Sequence, residues 1–406
     1  MRSFKLGAGE GPKPGGELRD RTAAHMLRVR VARLPHPRRA DTRDSDVVAQ
    51  GRAGGGSYLV TGGAGFIGSH LADALTARGD HVVILDDLST GRLENIEHLS
   101  GSGRAELVEG SVMDEELVIE LLEATEACVH LASAVGVKLV VDRPVETLLQ
   151  NVRGTDTVLS AAAPLRRRVL FASTSEVYGK TEGTPLSEGS DRVLGSTTKA
   201  RWNYSTSKAF GEALALGYHR ELGAPNVVVR LFNTVGPRQT GAYGMVLPRF
   251  VRQALAGEDL TVYGEGTQTR CFGHVYDTVE ALLLLLDSDA ASGRVFNIGN
   301  PVEISILELA ERVISRVGSG SAIRFVPYSD AYDAGFEELG RRVPDTAAVR
   351  ELTGWAPTRT IDDAIDDVIM FERAADLHLY TGNSLPAETE QNRLRRSRRG
   401  GAQVGG

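Results

Sequence analysis

A short apolar run, Ser57–Thr61, passes directly into Gly62-Gly63-Ala64-Gly65-Phe66-Ile67-Gly68, and an apolar helical pattern continues to Arg78. A turn this tight needs residues without side chains where the backbone reverses and where strand and helix touch. It commits the chain to a strand–helix–strand unit. The alternation then repeats. Further strands are expected at 82–86, 106–109, 127–131, 169–173 and Val227–Leu231, and helices at Phe66–Arg78, Glu115–Glu123, 145–163 and Asn203–Leu222. Apolar strands alternating with helices of this length give a parallel sheet covered on both faces. Beyond about residue 235 the rhythm breaks into shorter elements, with helical stretches near 245–256, 306–316 and 361–373.

The expected class is α/β, a Rossmann-type doubly wound parallel sheet with a smaller C-terminal substrate-binding lobe. Residues 57–235 are expected to form the nucleotide-binding sheet, with a strand and helix returning from the C-terminal half, and 236–380 the smaller lobe. A basic extension over 1–56 and a tail over 381–406 are expected to be disordered. The chain carries a net charge of −7 although its first 56 residues are arginine-rich, so the folded body is acidic. No nucleic-acid role is expected of it. Cys128 and Cys271 lie far apart in or beside strand-like segments, as buried thiols in a reducing compartment do. The longest apolar run, 281–286, is too short to span a bilayer, and the N-terminus lacks the order of a secretory signal. A cytoplasmic location without a membrane role is expected.

The glycine loop can cradle a pyrophosphate on its amides and on the positive end of the helix it opens. Asp86 closes the second strand in Val83-Ile84-Leu85-Asp86-Asp87, where a carboxylate grips a ribose 2′-hydroxyl. Two adjacent carboxylates repel a 2′-phosphate, which selects NAD over NADP. Further along, Tyr204 and Lys208 stand four residues apart on a helical pattern, which puts both on one face. A lysine ammonium so placed can lower the phenol pKa, making the tyrosine an acid/base catalyst. The plain alternative is a solvated helix face. Of 46 basic residues only six are lysine, which argues that this lysine is kept for a reason.

Gly62-x-x-Gly65-x-x-Gly68, the Tyr204/Lys208 pair and Ser173-Thr174-Ser175-Glu176 together resemble the extended short-chain dehydrogenase/reductase superfamily, over about residues 57–373. The resemblance is to its NAD-dependent sugar-nucleotide epimerases and dehydratases. Three further segments agree: His130-Leu131-Ala132-Ser133-Ala134, Asn151-Val152-Arg153-Gly154-Thr155, and Arg230-Leu231-Phe232-Asn233-Thr234-Val235-Gly236-Pro237. The resemblance implies cofactor contacts from Gly62, Gly65, Phe66, Ile67, Gly68, Asp86, Ser111, Val112, Leu131, Ala132, Ser133, Asn151, Ser173, Tyr204, Lys208 and Val235. One departure is Gly110-Ser111, where relatives usually place an aspartate after the glycine; Ser111 can still hydrogen-bond adenine.

In such enzymes the tyrosine takes the proton of a sugar C4 hydroxyl as hydride leaves C4, and Thr174 lies where the family bonds the same oxygen. A ketone at C4 then permits loss of CO2 when C6 is a carboxylate, loss of water when C6 is CH2OH, or rotation and reduction from the other face. Related 4,6-dehydratases carry Asp-Glu where this chain has Ser175-Glu176. A serine is too weak an acid to expel the C6 hydroxyl. Thr174-Ser175-Glu176 instead resembles UDP-glucuronate decarboxylases, and Arg270 matches an arginine that these enzymes keep near the diphosphate and sugar. Asn233, Arg249 and Arg342 are assigned to the sugar nucleotide by the same resemblance. The expected activity is NAD-dependent decarboxylation of UDP-glucuronate, ending in UDP-xylose or the released 4-keto pentose. The alternatives are a UDP-hexose 4-epimerase, a dTDP-glucose 4,6-dehydratase-like enzyme and, last, a non-catalytic NAD-binding scaffold, which would have no need of an intact Tyr204/Lys208 pair. A homodimer through 145–163 and Asn203–Leu222 is implied by the family. His130 and His274 read as packed core histidines, and no metal is expected.

Overall fold

The computed structural model describes residues 54–136, 142–181, 183, 185–241, 245–327 and 341–380. The tail at 381–406 and the extension up to residue 53 lie outside the described residues. The last residues of that extension depart from the expected disorder. The Gly55 and Gly56 amides both donate to Asp80 Oδ1, at 3.0 and 2.9 Å, which ties the entry of the first strand to the turn before the second.

Seven parallel strands form the central sheet: β1 (Ser57–Thr61), β2 (His81–Asp86), β3 (Ala105–Glu109), β4 (Ala127–His130), β5 (Arg168–Thr174), β6 (Val227–Leu231) and β7 (Val295–Ile298). Their spatial order is β3-β2-β1-β4-β5-β6-β7, so the winding reverses between β1 and β4. A crevice at the carboxyl ends of the strands opens at such a reversal. Alternate residues of each strand face opposite layers, and the sequences are apolar at nearly every position for that reason. Leu59, Val83, Phe171 and Val228 pack against helices α2 (Glu115–Glu123), α3 (Pro144–Ala162) and α4 (Asn203–Leu222). Val60, Ile84, Leu170 and Val229 pack against α1 (Phe66–Arg78) and a helix of the second half, α6 (Val275–Asp287).

The C-terminal lobe packs α5 (Val246–Leu255), α7 (Ile306–Val317) and α8 (Ile361–Tyr380) around Leu247, Phe250, Leu309, Val313 and Ile365. Two short strand pairs, Leu260–Tyr263 with Ile323–Val326 and Thr269–Cys271 with Glu303–Ser305, complete the lobe. A helix returning from the C-terminal half was expected, but the sequence offered no bounds for α6. Nine of its 13 residues are buried, so its run of leucines shows no polar face from which a helical period could be read. Its start is set by His274, whose Nδ1 accepts from the Tyr276 amide at 3.2 Å.

Two glycines let the layers close. A Cβ on Gly211 of α4 would stand 2.4 Å from the Phe171 ring, so glycine allows this helix to lie flat on β5. Gly62, in the left-handed region at φ 68°, would bring a Cβ to 2.8 Å from the Ala132 nitrogen.

His130 is fully buried at the end of β4, joined to Thr61 Oγ1 at 2.8 Å and Thr155 Oγ1 at 3.2 Å. It is a packed core histidine that ties β1 and β4 to α3. Burial holds its ring neutral and pulls its pKa from 6.5 to about 3. The unfolded chain therefore takes up a proton that the folded chain refuses, and stability falls as pH drops from about 6.5 toward 3. His130→Gln keeps the hydrogen-bonding partners and removes this titration. Denaturant unfolding compared at about pH 7.5 and pH 5 is expected to show a smaller acid loss in the variant than in the wild type. An equal loss in both proteins contradicts this.

Candidate active site

The strand ends, α1, α4 and the C-terminal lobe enclose a cavity of about 550 Å³. One end is built by the β1–α1 turn. Gly68 sits against the strand so closely that a Cβ would meet the Gly62 carbonyl oxygen at 2.2 Å. Gly65 differs: its φ is −76°, a Cβ there would touch only the Gly62 oxygen at 3.1 Å, and it gives α1 no side-chain cap. The first amides of α1 are thus left for a ligand, and the space a side chain would fill belongs to the cavity. Asp86 lies across from this turn, with Oδ2 accepting from the Ala64 amide and Oδ1 from the Leu88 amide, both at 2.9 Å. Burial raises its pKa, and the two amides draw it back. Asp87 lines the wall beside it. An open glycine cradle beside a fixed carboxylate fits the diphosphate and the adenosine ribose of a nicotinamide dinucleotide.

Tyr204 and Lys208 rise from α4 into the middle of the cavity. Lys208 is 3% exposed, donates to the Ala172 carbonyl at 2.8 Å, and holds its nitrogen 6.0 Å from the centre of the Tyr204 ring. The expected depression of the phenol pKa does not hold in this structure. Burial raises the Tyr204 pKa, the charge of Glu176 raises it further, and only the hydrogen bond with Ser133 opposes them. Burial also pulls Lys208 down to about 7. Desolvation therefore outweighs the mutual help the spacing suggested.

The far end of the cavity is cationic. Thr174, Ser175 and Glu176 leave β5 in a single 3₁₀ turn, with Thr174 Oγ1 accepting from the Glu176 amide. That bond leaves the threonine hydroxyl proton free to point at a ligand. Glu176 is gripped by Arg201, Nη1 to Oε2 at 2.9 Å and Nη2 to Oε1 at 3.2 Å. Arg342 Nη1 donates to Ser175 Oγ at 3.2 Å, and burial together with Arg270 and Arg201 pulls its pKa down to about 10. Arg270 and Asn233 line the same wall. Arg249 lies 4.5 Å over the Tyr263 ring and donates to the Thr261 carbonyl.

The cavity thus gathers nearly all the residues expected from the sequence, from Gly62, Phe66, Ile67, Val112, Leu131 and Ala132 through Ser173 to Val235. Two stand apart from its lining. Ser111 accepts from the Met113 amide, inside its own turn. Asn151 stays behind the wall, where its Oδ1 accepts from Ser133 Oγ and the Ala134 amide at 3.0 and 2.7 Å. These bonds fix the loop after β4, including the cavity-lining Ser133. Arg201 and Gln268 line the cavity without having been singled out. Nothing in the sequence distinguished Arg201 from other arginines, because its partner Glu176 lies 25 residues away.

Gly65→Ala and Gly68→Ala separate cradle from fold. Gly65→Ala is expected to keep the thermal midpoint while weakening dinucleotide binding roughly tenfold, about 1.4 kcal/mol, by calorimetric titration. Gly68→Ala is expected to lower the midpoint itself. Unchanged binding in a folded Gly65→Ala protein contradicts this placement of the diphosphate.

Three comparisons bear on the site. The sequence profile of the NAD dependent epimerase/dehydratase family matches residues 58–299, more than half of the chain. A UDP-N-acetyl-alpha-D-glucosaminuronate decarboxylase of Bacillus cytotoxicus is 42% identical over 317 residues, covering 78% of this chain and 97% of that protein. UDP-glucuronic acid decarboxylase 1 of Xenopus tropicalis is 38% identical over 344 residues, covering 83% of this chain and 78% of the relative. Among solved structures, the UDP-glucuronic acid 4-epimerase of Bacillus cereus, in complex with UDP-glucuronic acid and NAD, superposes with a TM-score of 0.69 at 28% identity, covering 79% of this chain and 99% of that one. The glycine cradle, the carboxylate after β2 and the match across both lobes have one reading: this chain belongs to the NAD-dependent epimerase/dehydratase family.

Proposed function

We propose that this protein is an NAD-dependent decarboxylase of UDP-glucuronate. The observation that carries the reading is the cationic end of the cavity. Arg201, Arg270 and Arg342 converge beside Ser175 and Glu176, within the cavity that holds Tyr204. A chain of net charge −7 that gathers guanidinium groups at one end of its cavity is built for a strongly anionic ligand, such as a sugar diphosphate with a further carboxylate. The acid that a dehydratase needs is absent at Ser175, whose hydroxyl is already engaged by Arg342.

The roles follow from these positions. Bound NAD supplies the acceptor for the C4 hydrogen as hydride. Tyr204 takes the C4 hydroxyl proton, the nearby Lys208 ammonium opposing the burial that disfavours a phenolate, and the Thr174 hydroxyl orients that oxygen. The product is a β-keto acid, and its C5–C6 bond breaks with the electron pair passing toward the C4 oxygen as CO2 leaves. Arg342 and Arg270 hold the anionic groups, and Glu176, fixed by Arg201, serves protonation at C5. The 4-keto pentose is then reduced to UDP-xylose or released.

Two accompanying features belong to the same proposal. Val145 and Leu149 of α3 and Phe210 of α4 are exposed apolar side chains on neighbouring helices, which supports a homodimer through that face. Cys128 and Cys271 are free and buried, in keeping with a reducing, cytoplasmic setting. Among the described residues, no helix is long and apolar enough to cross a membrane.

A second donor deserves equal trial, because the relative at 42% identity is named for the 2-acetamido uronate. The protein is to be incubated with NAD⁺ and either UDP-glucuronate or its 2-acetamido analogue, while CO2 release and nicotinamide absorbance are followed. CO2 release from at least one donor is expected, and the absorbance separates reduction from release of the keto sugar. Tyr204→Phe is expected to lose at least about a thousandfold in turnover while still binding NAD. Isomerised donor without CO2 would make the protein an epimerase.

A further inference from the structure

Tyr204, Lys208 and Glu212 lie one turn apart on the same face of α4. The first two line the cavity; Glu212, 5% exposed, lies beyond them. Its carboxylate is held closely. Oε1 accepts from Ser173 Oγ and from Arg230 Nε at 3.0 Å, and Oε2 accepts from Arg230 Nη2 at 2.7 Å. Arg230 also donates to the Glu188 carbonyl at 3.0 Å and lies 4.7 Å over the Tyr178 ring. Lys208 meanwhile grips the carbonyl of Ala172, the residue before Ser173. An ammonium and a carboxylate from one helix thus pin successive residues of β5.

The surroundings of Lys208 are otherwise poor in charge. The Phe171 ring of β5 lies 5.0 Å from its nitrogen, Tyr204 is a neutral phenol raised by burial, and His130 of β4 is held neutral. Arg230 of β6 is a cation but is turned to Glu212. Among these groups the anion is Glu212, buried one helical turn on from Lys208, and its charge favours the ammonium without a direct ion pair.

We propose that Glu212, clamped by Arg230, is a positioning residue that keeps the Lys208 ammonium charged beneath Tyr204. An ammonium taken fully out of water loses its proton unless an anion answers it. Burial already brings Lys208 to about 7 with Glu212 in place, so losing that carboxylate leaves a neutral amine at physiological pH. A neutral amine offers nothing to a phenolate. The inference rests on the Tyr204–Lys208 reading above, and its test reads the lysine directly.

With only six lysines in the chain, lysine-selective carbon-13 labelling gives few resonances, and Lys208→Arg identifies the one of interest. Its titration is followed by NMR in the full chain. The wild-type midpoint is expected near 7. Glu212→Gln is expected to lower it by about one unit or more, and Glu212→Asp to leave it close to wild type. Because Glu212→Gln strands a buried guanidinium, the double variant Glu212→Gln/Arg230→Met serves as the well-folded form, and its midpoint is expected to fall as well. An unchanged or raised midpoint in either folded protein overturns the proposal, since loosened packing alone would raise it. The alkaline limb of turnover should move with the midpoint in the double variant. A moved midpoint with a stationary limb upholds Glu212 and counts against the Tyr204–Lys208 reading instead.

Discussion

The packing of α4 flat against β5 is the constraint on which the site depends. Gly211 permits the approach, because any side chain there would enter the Phe171 ring. Only at that distance can Lys208 reach the Ala172 carbonyl and Glu212 the Ser173 hydroxyl. The same packing sets Tyr204 above the point where Thr174, Ser175 and Glu176 leave the sheet. The sheet supplies the second requirement, a crevice at its carboxyl edge, through the reversal of winding between β1 and β4. The C-terminal lobe closes that crevice and adds Arg249, Arg270 and Arg342.

Charge inside the cavity is arranged against a steady desolvation cost, which for an unpaired buried ion amounts to several kcal/mol. Most of these ions have a close partner. Asp86 takes two backbone amides, Glu176 takes a bidentate guanidinium, and Arg230 takes Glu212. Two cations are provided for more thinly: Lys208 has a carbonyl and, one turn away, a carboxylate that Arg230 already holds, while Arg342 has the Ser175 hydroxyl and a buried Nε without a partner, and burial lowers the pKa of both. The site therefore keeps one cation near the edge of deprotonation, directly below the tyrosine assigned to acid/base work. Guanidinium groups gather at one end of the cavity, and the Asp86 and Asp87 carboxylates line the other.

The fold was legible because parallel strands and their helices leave strong local marks. β1, β6, α1, α2 and α4 fall at their expected bounds, since each has a glycine, a cap or an apolar run that ends abruptly. The bounds of the returning helix α6 could not be read for the opposite reason, since it is buried nearly all round and so lacks a period. In the site, Tyr204–Lys208 and the glycine turn were visible as short-range patterns. Arg201–Glu176 and Glu212–Arg230 were not, because each pair is joined only by tertiary packing, across 25 and 18 residues. The phenol pKa was misjudged on the same ground. Spacing shows which charges are neighbours, and burial, which decides the sign here, is a property of the folded chain.

If CO2 leaves from a 4-keto intermediate, C5 must then take a proton from solvent. Turnover of UDP-glucuronate in deuterium oxide, read by mass spectrometry of the nucleotide sugar, follows that proton. The expected product is lighter by one CO2 and carries one solvent deuterium at C5. A product of unchanged carbon count without deuterium at C5 would contradict it, and would mean that the cavity oxidises and re-reduces C4 without touching C5.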